Sequence, residues 1–151
     1  MSIADTQPPA SHFVDGAYSD DAAGAAMDNV SPATGDVIAR LHSATDAIVD
    51  RAVSSNRVAQ PEWAAMSGAE RGRILIKASE ILRQRNDEIA RVETLDTGKA
   101  IQETIYVDAV SAADNMEYFG HLAATMTGDH IPINETSFAY TLREPVGVVG
   151  A

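Results

Sequence analysis

SGAERGRILIKASEILRQRNDEIARVETLDTGK, residues 67–99, is the stretch that decides the fold. It opens on Ser67-Gly68-Ala69-Glu70, the spacing of a capping box: the serine hydroxyl accepts from the Glu70 amide and the Glu70 carboxylate reaches back to the serine amide. A helix is predicted from there to about Gln84. Its apolar residues Ile74, Leu75, Ala78, Ile81 and Leu82 make one stripe on a 3.6-residue period, with Lys, Arg and Glu turned to water. Asn86 is placed to cap a second helix through Ile89, Val92 and Leu95, and Gly98 to end it in a left-handed conformation.

Moving outward, Thr45 is placed to cap an earlier helix reaching about Ala59, with Ile48, Ala52, Val53 and Ala59 toward a core and Pro61 and Trp63 following. On the other side, Ile101, Ile105, Ala109, Ala112, Met116, Phe119 and Ala123 recur at steps of three or four. They predict a helix of about six turns, closed by Gly128. HFVDGAY and VSPATGDVIARL read as short antiparallel strands joined by turns at Gly16 and at Pro32-Ala33-Thr34-Gly35. Beyond Gly128 the period becomes two. Ile131 and Ile133 lead into a turn at Asn134-Glu135, then Phe138, Tyr140 and Leu142 share one face with Ala139, Thr141 and Arg143 on the other. Pro145 stops that strand, and residues 146–149 form an apolar run suited to a strand covered on both faces. Residues 1–11, polar and Pro-containing, read as a loose arm.

The chain has 151 residues, 22 acidic and 11 basic, for a formal net charge of −11. Such a surface disfavours nucleic acid and anionic membranes as partners. With no cysteine there is no disulfide, no thiolate nucleophile and no Cys-based zinc site in these residues. The N-terminus lacks a basic region followed by an apolar one, and no run approaches a membrane span, so the expected location is cytoplasmic. Asn134-Glu135-Thr136 fits a glycosylation sequon but reads as a turn.

LDTGKA contains Gly-Lys but is not a phosphate loop: Glu93 stands where the first glycine belongs, and Ala100 where Ser or Thr must follow the lysine. Lys99 instead suits the negative end of a helix. Asp96 lies in the same last turn, where the dipole disfavours a carboxylate. A hydrogen bond to a neighbouring turn or to Lys99 would compensate it, and so would a bound cation. His12, His42, His121 and His130 form no metal-spaced pair, and no Gly-x-Ser-x-Gly elbow occurs. Gly147-Val148-Val149-Gly150 resembles the opening of a dinucleotide turn without the rest of its fingerprint.

Taken in order, FVDG, SPATGDVIA, residues 70–104 and IPINETSFAYTLREPVGVVG resemble the N-terminal part of the aldehyde dehydrogenase superfamily. The pairing of LDTGK with a downstream Arg143-Glu144-Pro145-Val146-Gly147 carries the resemblance, and ETSFAYTLREP is most similar to the betaine aldehyde branch. The resemblance implies an α/β fold. Residues 12–126, with short antiparallel strands and three to four amphipathic helices, would be the N-terminal part of the cofactor-binding domain. Residues 127–144 would form the β-hairpin arm of the oligomerisation domain, and 145–151 would start the first central strand of the dinucleotide-binding sheet. It further implies oxidation of an aldehyde, here betaine aldehyde to glycine betaine, with NAD or NADP, in a homodimer or homotetramer. The family's nucleophilic cysteine, oxyanion asparagine, general-base glutamate and cofactor loops have no counterpart in these residues. The chain is therefore expected to be a truncated leading portion, inactive alone. The resemblance also implies a monovalent cation such as K+, held by backbone carbonyls of Asn29 and Val30 and by Asp96; oxygen donors suit a hard cation. The alternative expectation is a non-enzymatic interaction module that pairs with full-length subunits through its β-arm.

Overall fold

A computed structural model describes residues 7–150. Among the described residues there are three two-stranded antiparallel sheets, and the helices lie in sequence between the second and the third. Strands β1 (His12–Val14) and β2 (Ala17–Ser19) form a hairpin around Asp15 and Gly16, both at positive φ, 58° and 73°. That is the combination a two-residue primed turn demands, and Asp-Gly supplies it. Strands β3 (Ala26–Val30) and β4 (Val37–His42) pair around the Pro-Ala-Thr-Gly turn, with an irregularity in register between Asn29 and Val30. Ser31 is buried at the mouth of that turn, where its amide donates to the Asp36 carbonyl at 2.9 Å and its own carbonyl accepts from Gly35 at 2.8 Å.

Helix α1 (Asp46–Ala65) starts at Thr45, whose hydroxyl accepts from the Ile48 amide at 3.4 Å. It runs past the expected end near Ala59 and through Pro61. Pro61 has no N–H to offer the Arg57 carbonyl, and both residues are exposed. Of the expected core set, Ile48 is buried, Ala52 and Val53 are half-buried, and Ala59 is exposed.

Helix α2 (Gly68–Gln84) carries both halves of the predicted capping box: Ser67 N donates to Glu70 Oε2 at 2.8 Å and Glu70 N donates to Ser67 Oγ at 3.3 Å. Foremost the Ser67 hydroxyl, which donates to Glu70 Oε2 at 2.8 Å, and next the Ser67 amide hold the Glu70 carboxyl below its ordinary value. A depressed carboxyl pKa contributes stability that is complete above the unfolded value and lost as pH falls through the folded one. Circular dichroism should therefore show a loss of helix stability beginning below the ordinary value of 4.5, and Glu70→Gln should remove part of that acid dependence.

Helix α3 (Asn86–Thr97) follows after one residue. Asn86 is not its cap, as the sequence suggested; Arg85 holds the cap position with no side-chain bond, and Asn86 lies inside the first turn. Its Nδ2 instead donates to the Ile105 carbonyl at 2.8 Å. Helix α4 (Ile101–Glu103), a π-helical turn over Thr104–Asp108 and helix α5 (Ala109–Ala123) run end to end as the long predicted segment. It ends at Ala123, before Gly128, which leads into the arm.

The core differs most from expectation along α2 and α5, which make the most extensive contact between elements. The buried residues there are Gly72 and Ser79 on α2, and Ala109, Ala113 and Gly120 on α5. A Cβ built on Gly72 would lie 2.2 Å from the Gly120 carbonyl oxygen, so two glycines let the backbones meet. The predicted stripe of α2 is instead partly open, with Ile74 47% and Ile81 44% exposed, and on α5 Ala112, Met116 and Phe119 are exposed.

Strands β5 (His130–Asn134) and β6 (Ser137–Tyr140) form the predicted hairpin, with Thr136 N donating to Asn134 Oδ1 at 2.9 Å in its turn. Residues 141–150 form no strand; Thr141 N still donates to the Asp129 carbonyl at 3.0 Å at the base of the hairpin, and residues 147–150 line a groove with Ile48, Val49 and Ala52 of α1. Residues 7–11, expected to be loose, are tied to β4, while residues 1–6 of that arm lie outside the described residues.

Candidate functional site

The Pro-Ala-Thr-Gly turn and LDTGK meet in space. Gly98 ends α3 at φ 74°, donating to the Thr94 carbonyl at 3.0 Å, and a Cβ there would stand 2.9 Å from Pro32 Cγ. Both the left-handed backbone and the contact with Pro32 call for glycine. This junction carries the irregular register at Asn29 and Val30 to the end of α3, where Asn29 Nδ2 donates to Asp96 Oδ1 at 2.6 Å. Asp96 is thus compensated by Asn29, not by a turn or by Lys99. A groove of about 310 Å3 opens beside the pair, with Ile38, Ile89, Val92 and Leu95 as apolar wall and Glu88, Glu93 and Asp96 as acidic rim.

Lys99 reaches elsewhere, to Asp108 at 2.7 Å and to Glu93 at 3.8 Å. The Asp108 carboxylate, first among its neighbours, raises the Lys99 pKa. Glu88 is engaged by Arg85 at 2.5 Å, which lowers its carboxyl pKa. Beneath these, Thr104 is fully buried, its hydroxyl 2.8 Å from that of Thr94 and 3.2 Å from the Ile101 carbonyl it donates to. The sequence reading missed the Asn29 side chain, Asp108 and the Thr94–Thr104 pair; all three are contacts between elements that no local period marks.

Of the three proposed cation ligands, Asn29 and Asp96 are in direct contact, and Val30 is next to Asn29 at the register shift. Among the described residues no three His, Cys, Asp or Glu side chains gather to hold a metal, so a cation here would depend on carbonyl oxygens. Among the described residues Gly147 to Gly150 neither end a strand nor begin a helix. The arm is exposed along β5; His130 packs across it on Phe138 with ring centres 4.9 Å apart, and Phe138 lies 6.5 Å from Tyr140 on its own strand. No helix among the described residues is long and apolar enough to cross a membrane.

A mixed fold of short antiparallel hairpins on amphipathic helices, with the two turns locked at Pro32 and Gly98, is the leading part of an aldehyde dehydrogenase fold. The pattern of the aldehyde dehydrogenase family matches residues 18–151, and the chain belongs to that family. It is 57% identical over 143 residues to betaine aldehyde dehydrogenase 1 of Rhizobium meliloti strain 1021, covering 94% of this chain and 29% of that protein. Among solved structures it resembles PnpE in complex with nicotinamide adenine dinucleotide, at TM-score 0.78 and 36% identity over 85% of this chain and 26% of that one. An aldehyde dehydrogenase structure from Burkholderia cenocepacia gives TM-score 0.79 and 34% identity over 87% and 27%. The chain therefore spans less than a third of the length of the relatives it matches.

Proposed function

We propose that these residues are the leading part of an enzyme that oxidises betaine aldehyde to glycine betaine, with NAD as hydride acceptor. The 57% identity to a betaine aldehyde dehydrogenase carries the reading, and the solved relative with bound dinucleotide supports NAD over NADP. Residues 12–126 would contribute to the cofactor domain, and 145–151, which form no strand here, would begin its first central strand in the whole protein. Residues 127–144 form the arm through which a cytoplasmic homo-oligomer assembles, and the exposure of β5 supports that role. The chemistry needs a thiolate that attacks the aldehyde carbon and a water that releases the acid. These 151 residues contain no cysteine, so the nucleophile is not among them. On its own the purified stretch should give no NADH absorbance with betaine aldehyde and NAD; sustained turnover would overturn this assignment.

A K+ ion held by the carbonyls of Asn29 and Val30 and by an Asp96 carboxylate oxygen belongs to the same reading; the contact of Asn29 with Asp96 brings two of these three residues together. The rival reading, a non-enzymatic module joining full-length subunits, draws on the same exposed arm. Co-purification of the isolated stretch with a full-length subunit, abolished by changing Phe138 and Tyr140 to serine, would favour it.

A further inference from the structure

Among the described residues, strand β4 has β3 on one side and no third strand on the other. In an antiparallel pair alternate residues turn their amide and carbonyl away from the partner, so Arg40 and His42 present theirs along the same outer edge. At Arg40 and His42 these groups meet side chains from the N-terminal segment. Arg40 N donates to Gln7 Oε1 at 2.7 Å, and Gln7 Nε2 donates to Arg40 O at 2.9 Å. Two residues further, His42 N donates to Ser11 Oγ at 2.9 Å.

The segment between has Pro8 and Pro9, which have no N–H to donate and cannot pair as an ordinary strand. A glutamine side chain carries an amide donor and a carbonyl acceptor, the same groups as a peptide unit, and reproduces both ladder bonds at Arg40. We infer that residues 7–11 are a strap that closes the outer edge of β4 and excludes strand addition by a second copy of this chain. An open edge is a template for pairing. Two β4 edges related by a twofold axis would present matching donors and acceptors to each other, so the second copy is the partner the strap excludes.

The test is Gln7→Ala with Ser11→Ala in the full chain, followed by amide hydrogen exchange and sedimentation. The Arg40 and His42 amides should exchange about tenfold faster. Ala39 and Leu41, whose amides turn toward β3, should keep their rates, and the variant should self-associate at concentrations where the unaltered chain does not. Unchanged exchange at Arg40 and His42 would overturn the inference. So would equal acceleration at Ala39 and Leu41, which reports an unfolding hairpin, or faster edge exchange without any gain in self-association.

Discussion

Gly72→Val is expected to lower the stability of the fold by about 3 kcal/mol, because the new side chain would have to occupy space already held by backbone. A Cβ at Gly72 would stand 2.2 Å from the Gly120 carbonyl oxygen, and one at Gly120 2.9 Å from both the Gly72 carbonyl oxygen and Ile76 Cγ1. No rotamer change relieves a contact with main chain, so α2 and α5 must separate along their whole seam. For a domain of this size the melting temperature should fall by roughly 6–12 °C. The neighbouring pair Ala112 and Ala113 gives the sharpest internal comparison. Ala113 is fully buried in the seam and Ala112 exposed, so Ala113→Val should be strongly destabilising and Ala112→Val should stay within about 0.5 kcal/mol. Thermal denaturation of the three variants decides between this seam and the stripe that the hydrophobic period suggested; equal effects at 112 and 113 would contradict the packing described.

The second large effect is expected at Thr104. Its side chain is fully buried at the start of the π-helical turn, 2.8 Å from the Thr94 hydroxyl. Thr104→Val keeps the shape and strands the Thr94 hydroxyl in a partly buried site, at a cost of about 1–3 kcal/mol. Replacing both threonines by valine removes donor and acceptor together. The double variant should therefore be more stable than the sum of the single losses predicts, by about 1 kcal/mol in a double-mutant cycle. Additive losses would show that the hydroxyls do not depend on each other.

These two sites also mark where the sequence was legible and where it was not. The capping box at Ser67 and Glu70, the left-handed end at Gly98 and the hairpin around Asn134 are local: each follows from a few neighbouring residues, and each is present. The faces of α2 and α5 are not local. Both helices have an apolar side and a small-residue side, and hydropathy weights Ile74 and Phe119 above Gly72 and Gly120. Close approach of two backbones depends on the absence of side chains, which a search for apolar residues passes over. The same holds for Asn86, which looks like a cap but is drawn into the helix by a bond to Ile105 across the fold. At the candidate site, Asp96 stood out because a carboxylate at a helix end needs a partner. Which partner it has, the Asn29 amide rather than Lys99, depends on how β3 meets α3.

The exposed apolar faces left by this packing, including Ile74 and Ile81 on α2, suit a chain that makes up less than a third of its relatives. The most direct measurement is an exchange of parts. The 143 residues matched in betaine aldehyde dehydrogenase 1 of Rhizobium meliloti would be replaced by the corresponding residues of this chain, and NADH formation followed with betaine aldehyde. The chimera should fold and retain kcat/KM within about tenfold of the parent, a difference of about 1.4 kcal/mol in transition-state stabilisation. A folded chimera that forms no NADH, or one that turns over other aldehydes in preference to betaine aldehyde, would contradict the assignment.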